Sequence, residues 1–296
     1  MKRKKLTLTR EVFLTKSPGP AVEALPPSNP LPGFSLTLGF SIFYLTVIVL
    51  APIAALALKA LRLPWAQVWE LAFNERAMDA YKLSLGASLA AALINAFFGS
   101  LLAWVLVRYE FPGRRLLDGL IDFPFALPTA VAGLTLANLF SAHGWLGQFL
   151  VPMGIHGTFT RLGVIIALTF VGLPFSVRTL QPVLEALDPG VEEAAACLGA
   201  GRFRTFLSVI APTLLPTIVT GFGLSFARAL GEYGSIVFIS GNLPKTEIAP
   251  TLIVMRLNEY NYSGAIAAAL VLMIFSFVLL MTLNVVQEWA AQFHEA

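Results

Sequence analysis

The sequence predicts an all-α polytopic membrane protein with six transmembrane helices, on three observations. Of its 296 residues 57% are hydrophobic and only 12% are charged, about half the charge share of a soluble domain. A water-soluble fold of this size could not cover its surface with so little. The charges are also clustered, leaving uncharged runs at 24–58, 83–107, 123–142, 162–177, 205–227 and 260–287. A helix of about 20 apolar residues spans the hydrocarbon. Only 162–177 falls short, and Arg161 and Arg178 can extend outward from its ends.

Before the first run stand a basic start, MKRKK, and a Pro- and Ser-rich stretch, SPGPAVEALPPSNPLPG. No apolar segment follows until about Phe34, which argues against a signal peptide. Residues 1–30 are expected to be a disordered basic cytoplasmic tail. Lysines and arginines in short connections fix orientation. The tail (Lys2, Arg3, Lys4, Lys5, Arg10, Lys16), the second-to-third connection (Arg108, Arg114, Arg115) and the fourth-to-fifth (Arg178, Arg202, Arg204) are basic. The third-to-fourth has only Arg161, and the fifth-to-sixth has Lys245 and Arg256. The first connection is the exception, with Lys59, Arg62, Arg76 and Lys82 beside Glu70, Glu75 and Asp79. Six spans with both termini cytoplasmic fit best, with Gly199 inside and Lys245 outside.

Composition also excludes functions. The net charge of +3 is spread along the chain with no aromatic-basic face, so no nucleic-acid partner is expected. Cys197 is the sole cysteine, and His143, His156 and His294 lack zinc-ligand spacing. No nucleophile–base cluster points to a membrane enzyme. No G-x-x-x-x-G-K-[ST] sequence is present, so the chain has no P-loop for ATP.

One polar stretch stands out, EEAAACLGAGRFRTFLSVIAP at 192–212. Asp188-Pro189 is a helix start, with Asp as cap and Pro where its missing N–H costs nothing. Glu192 and Glu193 suit the positive end of the helix, and Gly199 is a stop. The helix is then about ten residues, or about 15 Å, too short to span. Val191, Ala194, Ala195 and Leu198 share one face; Glu192, Glu193, Ala196 and Cys197 share the other. The small apolar face is expected to lie on the chain's own helices, with the carboxylates turned to a soluble partner. A second amphipathic piece, RFRTFLSVI, follows and is expected to end at Pro212. The residues alone allow a plain interfacial linker equally well.

EAAACLG at 193–199, followed after nine residues by VIAP at 209–212, resembles the EAA loop of ABC importer permeases. The family pattern is Glu-Ala-Ala, three residues, Gly, nine residues, then Ile-x-Leu-Pro. Glu193, Ala194, Ala195, Gly199 and Pro212 match it; Val209 stands for the Ile and Ala211 for the Leu, so its end is degenerate. The resemblance implies a type I ABC importer transmembrane domain whose loop docks on a separate ATPase. Longer stretches resemble one branch, the sulfate/thiosulfate permeases of the T type. They include FPFALPTAVAGLTLANLF (123–140), LPFSVRTLQPVLEAL (173–187), FARALGEYGSIVFISGN (226–242) and RLNEYNYSGAIAAALVL (256–272).

That resemblance implies the first helix with an external connection over 31–76, the ABC transmembrane domain over 77–287, and a cytoplasmic C-terminal end at 288–296. It implies a bacterial inner-membrane complex with a homologous W-type permease, two ATP-binding ABC subunits and a periplasmic sulfate- or thiosulfate-binding protein. ATP and Mg would be used by the partner ATPase, with no cofactor on this chain. Because RALGEYG is shared with molybdate permeases, molybdate or tungstate is the alternative cargo.

Arg228 and Glu232 interrupt the fifth apolar region four residues apart. If that helix starts near Pro212 or Pro216, Arg228 lies about 18–24 Å along it, near or past the middle of the hydrocarbon. A charge at that depth usually faces a cavity or a partner. Arg228 either adds positive potential to an anion path, tethered by Glu232, or forms a structural ion pair. Thr129, Thr135 and Asn138, after Pro124 and Pro128, either line a polar path or bond between helices. A proton-coupled secondary transporter is the rival class, and Glu232 would be its only good buried carboxylate.

Overall fold

The computed structural model describes residues 33–292, with side chains to Gln287. The tail assigned to 1–30, His294 and the side chains of 288–296 lie outside the described residues. Two compact units divide at Ile53 and Ala54. Helix α1 (Phe34–Leu61) contains a wide π-turn at Thr46–Leu50, and its stretch Phe34–Leu45 buries no residue. In the unit from Ala54 onward follow α2 (Trp65–Ala72), α3 (Glu75–Arg108), α4 (Arg114–Ile121), α5 (Phe123–Ala126), α6 (Thr129–Phe140) and α7 (Arg161–Glu185). Then come α8 (Pro189–Cys197), α9 (Arg202–Leu230), α10 (Gly234–Ser240), α11 (Ala249–Asn258) and α12 (Tyr262–Gln292).

Among the described residues five helices are long and apolar enough to cross a membrane: α1, α3, α7, α9 and the α12 stretch Tyr262–Gln287. The third predicted span, 123–142, is divided instead. Pro128 disfavours a helical residue before it, and Leu127 is extended (φ −83°, ψ 135°). What remains, α6, has 12 residues and is about 18 Å long. It is a half-span, and α10 lies against it.

The fifth span also departs from expectation. It does not begin at Pro212 or Pro216, and RFRTFLSVI does not end at Pro212. The helix is continuous from Arg202, through a π-turn at Phe206–Ile210. The wide turn includes Ser208, whose carbonyl the Pro212 ring would otherwise crowd, so α9 runs through the proline without breaking.

Small residues hold α3, α7 and α9 together. Lipid tails are as apolar as leucine, so helices in a bilayer associate by close packing and by hydrogen bonds between them. At Gly172 of α7 a Cβ would lie 2.5 Å from Ser225 Oγ and 2.6 Å from Asn95 Nδ2. Asn95 Nδ2 donates to Ser225 Oγ at 3.0 Å, fully buried. One turn along, Gly221 of α9 faces Ser176, whose hydroxyl donates to the Gly221 carbonyl. These contacts make α7 and α9 antiparallel and fix their register. Ala87, Ala91, Ala167 and Ala229 continue the seam beside Leu136, Val164, Leu168, Ile236 and Ile239.

Charged clusters mark the two ends. At one, Arg76 donates to both oxygens of buried Glu247 (2.8 and 2.9 Å) and to Glu259. Buried Arg256 donates to the Gly264 carbonyl and to Asn74 Oδ1, which also caps α3 by accepting from Ala77 N–H. Arg161 reaches the Lys245 carbonyl at this end. Toward the other end, Arg178 of α7 donates to Asp118 and Asp122, pinning the α4–α5 segment. Burial raises the Asp118 pKa, but hydrogen bonds from Arg178 and Gln181 outweigh it and hold the carboxyl below its ordinary range. That support is complete at neutral pH and is lost only as the pH falls through the lowered value.

A very close approach between two helices joins α6 to α10. A Cβ on Gly133 would lie 2.2 Å from the Ser235 carbonyl oxygen and 2.6 Å from its Cα. Backbone cannot rotate away, so Gly133→Val should cost about 3 kcal/mol, the upper end for overpacking. Gly86→Val, where a Cβ would meet nothing within 4 Å, should leave stability near wild type. Thermal unfolding of the detergent-solubilised protein measures both, and a Gly133→Val variant as stable as Gly86→Val would contradict this packing.

Candidate functional site

Two places carry the candidate residues. The first is α8, which follows α7 after Ala186–Asp188. Its start is as expected: Asp188 Oδ1 accepts from Gly190 N–H at 2.8 Å. Its stop is Gly199 in the left-handed region at φ +82°. Gly199 N–H bonds to the Ala196 carbonyl and Ala200 N–H to the Ala195 carbonyl, closing the last turn. The helix has nine residues and buries none of them.

Its orientation corrects the sequence reading. The inner side is formed by Glu192 and Ala195, which are half-buried, while Val191, Ala194, Glu193, Cys197 and Leu198 are exposed. Glu192 turns inward because Arg108, in the last turn of α3, pairs with it at 2.5 Å. The two adjacent carboxylates therefore point to different sides. Leu198, expected on the covered face, is 89% exposed. Ala-rich sequence gives a weak amphipathic signal, and a single ion pair outweighs it. The other motif members, Val209 and Pro212, lie in α9 rather than in the loop, Val209 within its π-turn.

The second place is the end of α9. Arg228 Nη1 pairs with Glu232 Oε2 across one turn. The other oxygen, Oε1, accepts from both the N–H and the hydroxyl of Ser235, each at 3.0 Å. Glu232 thus ties the end of α9 to the start of α10. Its side chain is 2% exposed and that of Arg228 32%, so the guanidinium keeps an open side.

Register gives the depth. Asn95, Gly172 and Ser225 share one level, and Arg228 is one turn beyond Ser225, level with about Thr169. That is about 12 Å from Arg161 and about 14 Å from Arg178 along α7. The helix starts earlier than expected, yet Arg228 still lies near the middle of the bundle.

Thr129 belongs to the same place. Its Oγ1 lies 2.2 Å from where a Cβ on Gly234 would be, so α6 and α10 begin side by side near Arg228. The first turn of α6 has no side-chain cap, leaving its N–H groups at the positive end of a short helix. Asn138 does not join them. It is nine residues along α6, about 14 Å away, in a separate recess of about 350 Å³ with Leu134, Thr135, Leu139 and Trp145. Sequence reading missed Ser235 and Arg108. The Glu-x-x-Ser spacing at 232–235 was available as a signal for the first; nothing local pointed to the second.

Residues 95–293 match the family described as binding-protein-dependent transport system inner membrane component. The chain is 49% identical to the sulfate transport system permease protein CysT of Salmonella typhimurium, covering 87% of this chain and 94% of that protein. It is 51% identical to the CysT protein of Synechococcus elongatus, covering 86% and 92%. The fold resembles a chain of a bacterial ABC transporter that imports the acidic polysaccharide alginate: TM-score 0.71, 19% identity, 86% of this chain and 94% of that one. A bacterial alginate ABC transporter in complex with an alginate pentasaccharide-bound periplasmic protein gives 0.71 at 18% identity, covering 84% and 92%. Half-identity over nearly the whole length, the interrupted helices and the short exposed α8 agree: the chain belongs to the binding-protein-dependent transport system inner membrane components, among the CysT-type permeases.

Proposed function

We propose that this chain is the transmembrane permease subunit of an ATP-driven importer of sulfate or thiosulfate. The observation that carries the cargo is the near-half identity to proteins named sulfate permeases. It favours sulfate over molybdate, tungstate or ion-coupled transport. Two ATP-binding subunits supply the energy from ATP and Mg, a homologous W-type permease completes the pathway, and a periplasmic binding protein delivers the anion.

The ATPase docks on α8, through Glu193, Ala194, Gly199 and Leu198, and that contact lies in the cytoplasm together with both termini. Support comes from the exposed apolar side of a helix that the bundle does not bury and from the basic residues on its flanks. Ala195 faces the bundle beneath the contact.

The anion passes Arg228 near mid-depth. A dianion shedding water there gains from a positive charge at reduced dielectric, and the first turn of α6 adds a positive helix end. Glu232 keeps the arginine oriented. Thr129 borders this point, while Asn138 lines the path in its own recess.

Two experiments test these readings. In a Cys197→Ser background, Leu198→Cys should be labelled by an impermeant thiol reagent in inside-out vesicles and not in intact cells. Bound ATPase subunits should protect it. Labelling from outside, or labelling unchanged by the ATPase, would contradict the docking site. For the path, Arg228→Gln strands a buried carboxylate, so the informative variant is Arg228→Gln with Glu232→Gln. Its folded level should be close to wild type, while sulfate uptake should fall about tenfold or more, as expected if about 1.4 kcal/mol of transition-state stabilisation is lost. Full uptake by the double variant would make the pair purely structural.

A further inference from the structure

Glu192 and Arg108 form a link that the proposed function leaves unused. Helix α8 is joined covalently to α7 and α9, one at each end. It has no covalent connection to α3. Among the described residues it makes one side-chain hydrogen bond or ion pair to the bundle, Glu192 Oε1 with Arg108 Nη2. Arg108 is seated on an aromatic ring, and its buried Nε makes no hydrogen bond to the described residues. Its guanidinium lies over the Trp104 ring, 5.2 Å from the centroid, and Trp104 meets Phe206 of α9 edge-on at 5.5 Å.

We infer that Glu192 is a positioning residue that transmits displacement of α8 to α3, so that α3, α7 and α9 move as one body when the ATPase moves α8. This inference rests on the docking reading. Without the pair, a push on α8 reaches α7 and α9 through two short connections, 186–188 and 198–201, and α3 follows only by side packing. With it, a charge-assisted contact carries the load, and the Trp104–Phe206 contact passes it to the first turns of α9. Division of labour between the adjacent carboxylates follows: Glu193 faces out to the motor, and Glu192 faces in to the gate. Closure and opening by rigid-body movement need such a connection between the driven element and each helix that must move.

The test uses the complete complex in proteoliposomes, with ATP inside and sulfate with its binding protein outside. Sulfate taken up and ATP hydrolysed are measured per complex recovered, so a lower yield leaves their ratio readable. Glu192→Gln should retain its ATPase subunits on purification and continue to hydrolyse ATP. Its sulfate uptake per ATP should fall about fivefold, the lower end of the range for a coupling free energy. Reversing the pair, Glu192→Arg with Arg108→Glu, should recover much of the ratio that each single reversal loses. A wild-type ratio in Glu192→Gln would overturn the inference, as would a reversed pair no better than the singles. Loss of the ATPase subunits from Glu192→Gln would also overturn it, by placing Glu192 in the docking contact. A wild-type chain that itself fails to hold the ATPase would instead defeat the docking reading.

Discussion

Close approach of α3, α7 and α9 at Asn95, Gly172 and Ser225 is the constraint on which the other features depend. A side chain at Gly172 would collide with both polar partners, and the Asn95–Ser225 hydrogen bond is fully buried. Neither side chain is accessible to solvent, so water does not compete for the bond. Glycine permits the distance and the hydrogen bond fixes the register. From that register follow the depth of Arg228, the antiparallel course of α7 and α9, and the level at which α9 ends.

Where α9 ends, the backbone must find new partners, and the chain solves this by starting two helices together. Glu232 closes the gap by accepting from Ser235 on one oxygen and from Arg228 on the other. Gly133 and Gly234 let α6 and α10 start in contact. An irregular backbone at this depth is tolerable where protein or a water-filled cavity satisfies it. The same interruption leaves the Arg228 guanidinium partly exposed near the middle of the bundle. Glu232 therefore serves both the junction of α9 with α10 and the seating of Arg228.

Features set by local chemistry were legible in the sequence. The Asp188 cap, Pro189 and Gly199 bounded α8 closely, because caps and stops depend on a few adjacent residues. The apolar runs located five long helices, and the mid-depth position of Arg228 emerged although the start of its helix did not. Features set by distant residues were not legible. The partner of Glu192 is 84 positions away, and a run of alanines has too little side chain to declare which face is covered. The division of 123–142 was hidden for a related reason. A charge count sees 20 uncharged residues, whereas Pro128 acts on backbone geometry, and only the packing of α10 against α6 shows that a half-span suffices.

The central claim is that this chain is a gate whose energy comes from another polypeptide. The most direct measurement is sulfate uptake by proteoliposomes holding the full complex, with the energy source varied. The account predicts uptake that requires ATP and Mg on the side of α8, and that persists when the proton gradient is collapsed. Uptake by this chain without ATPase subunits, driven by an imposed proton gradient, would contradict it.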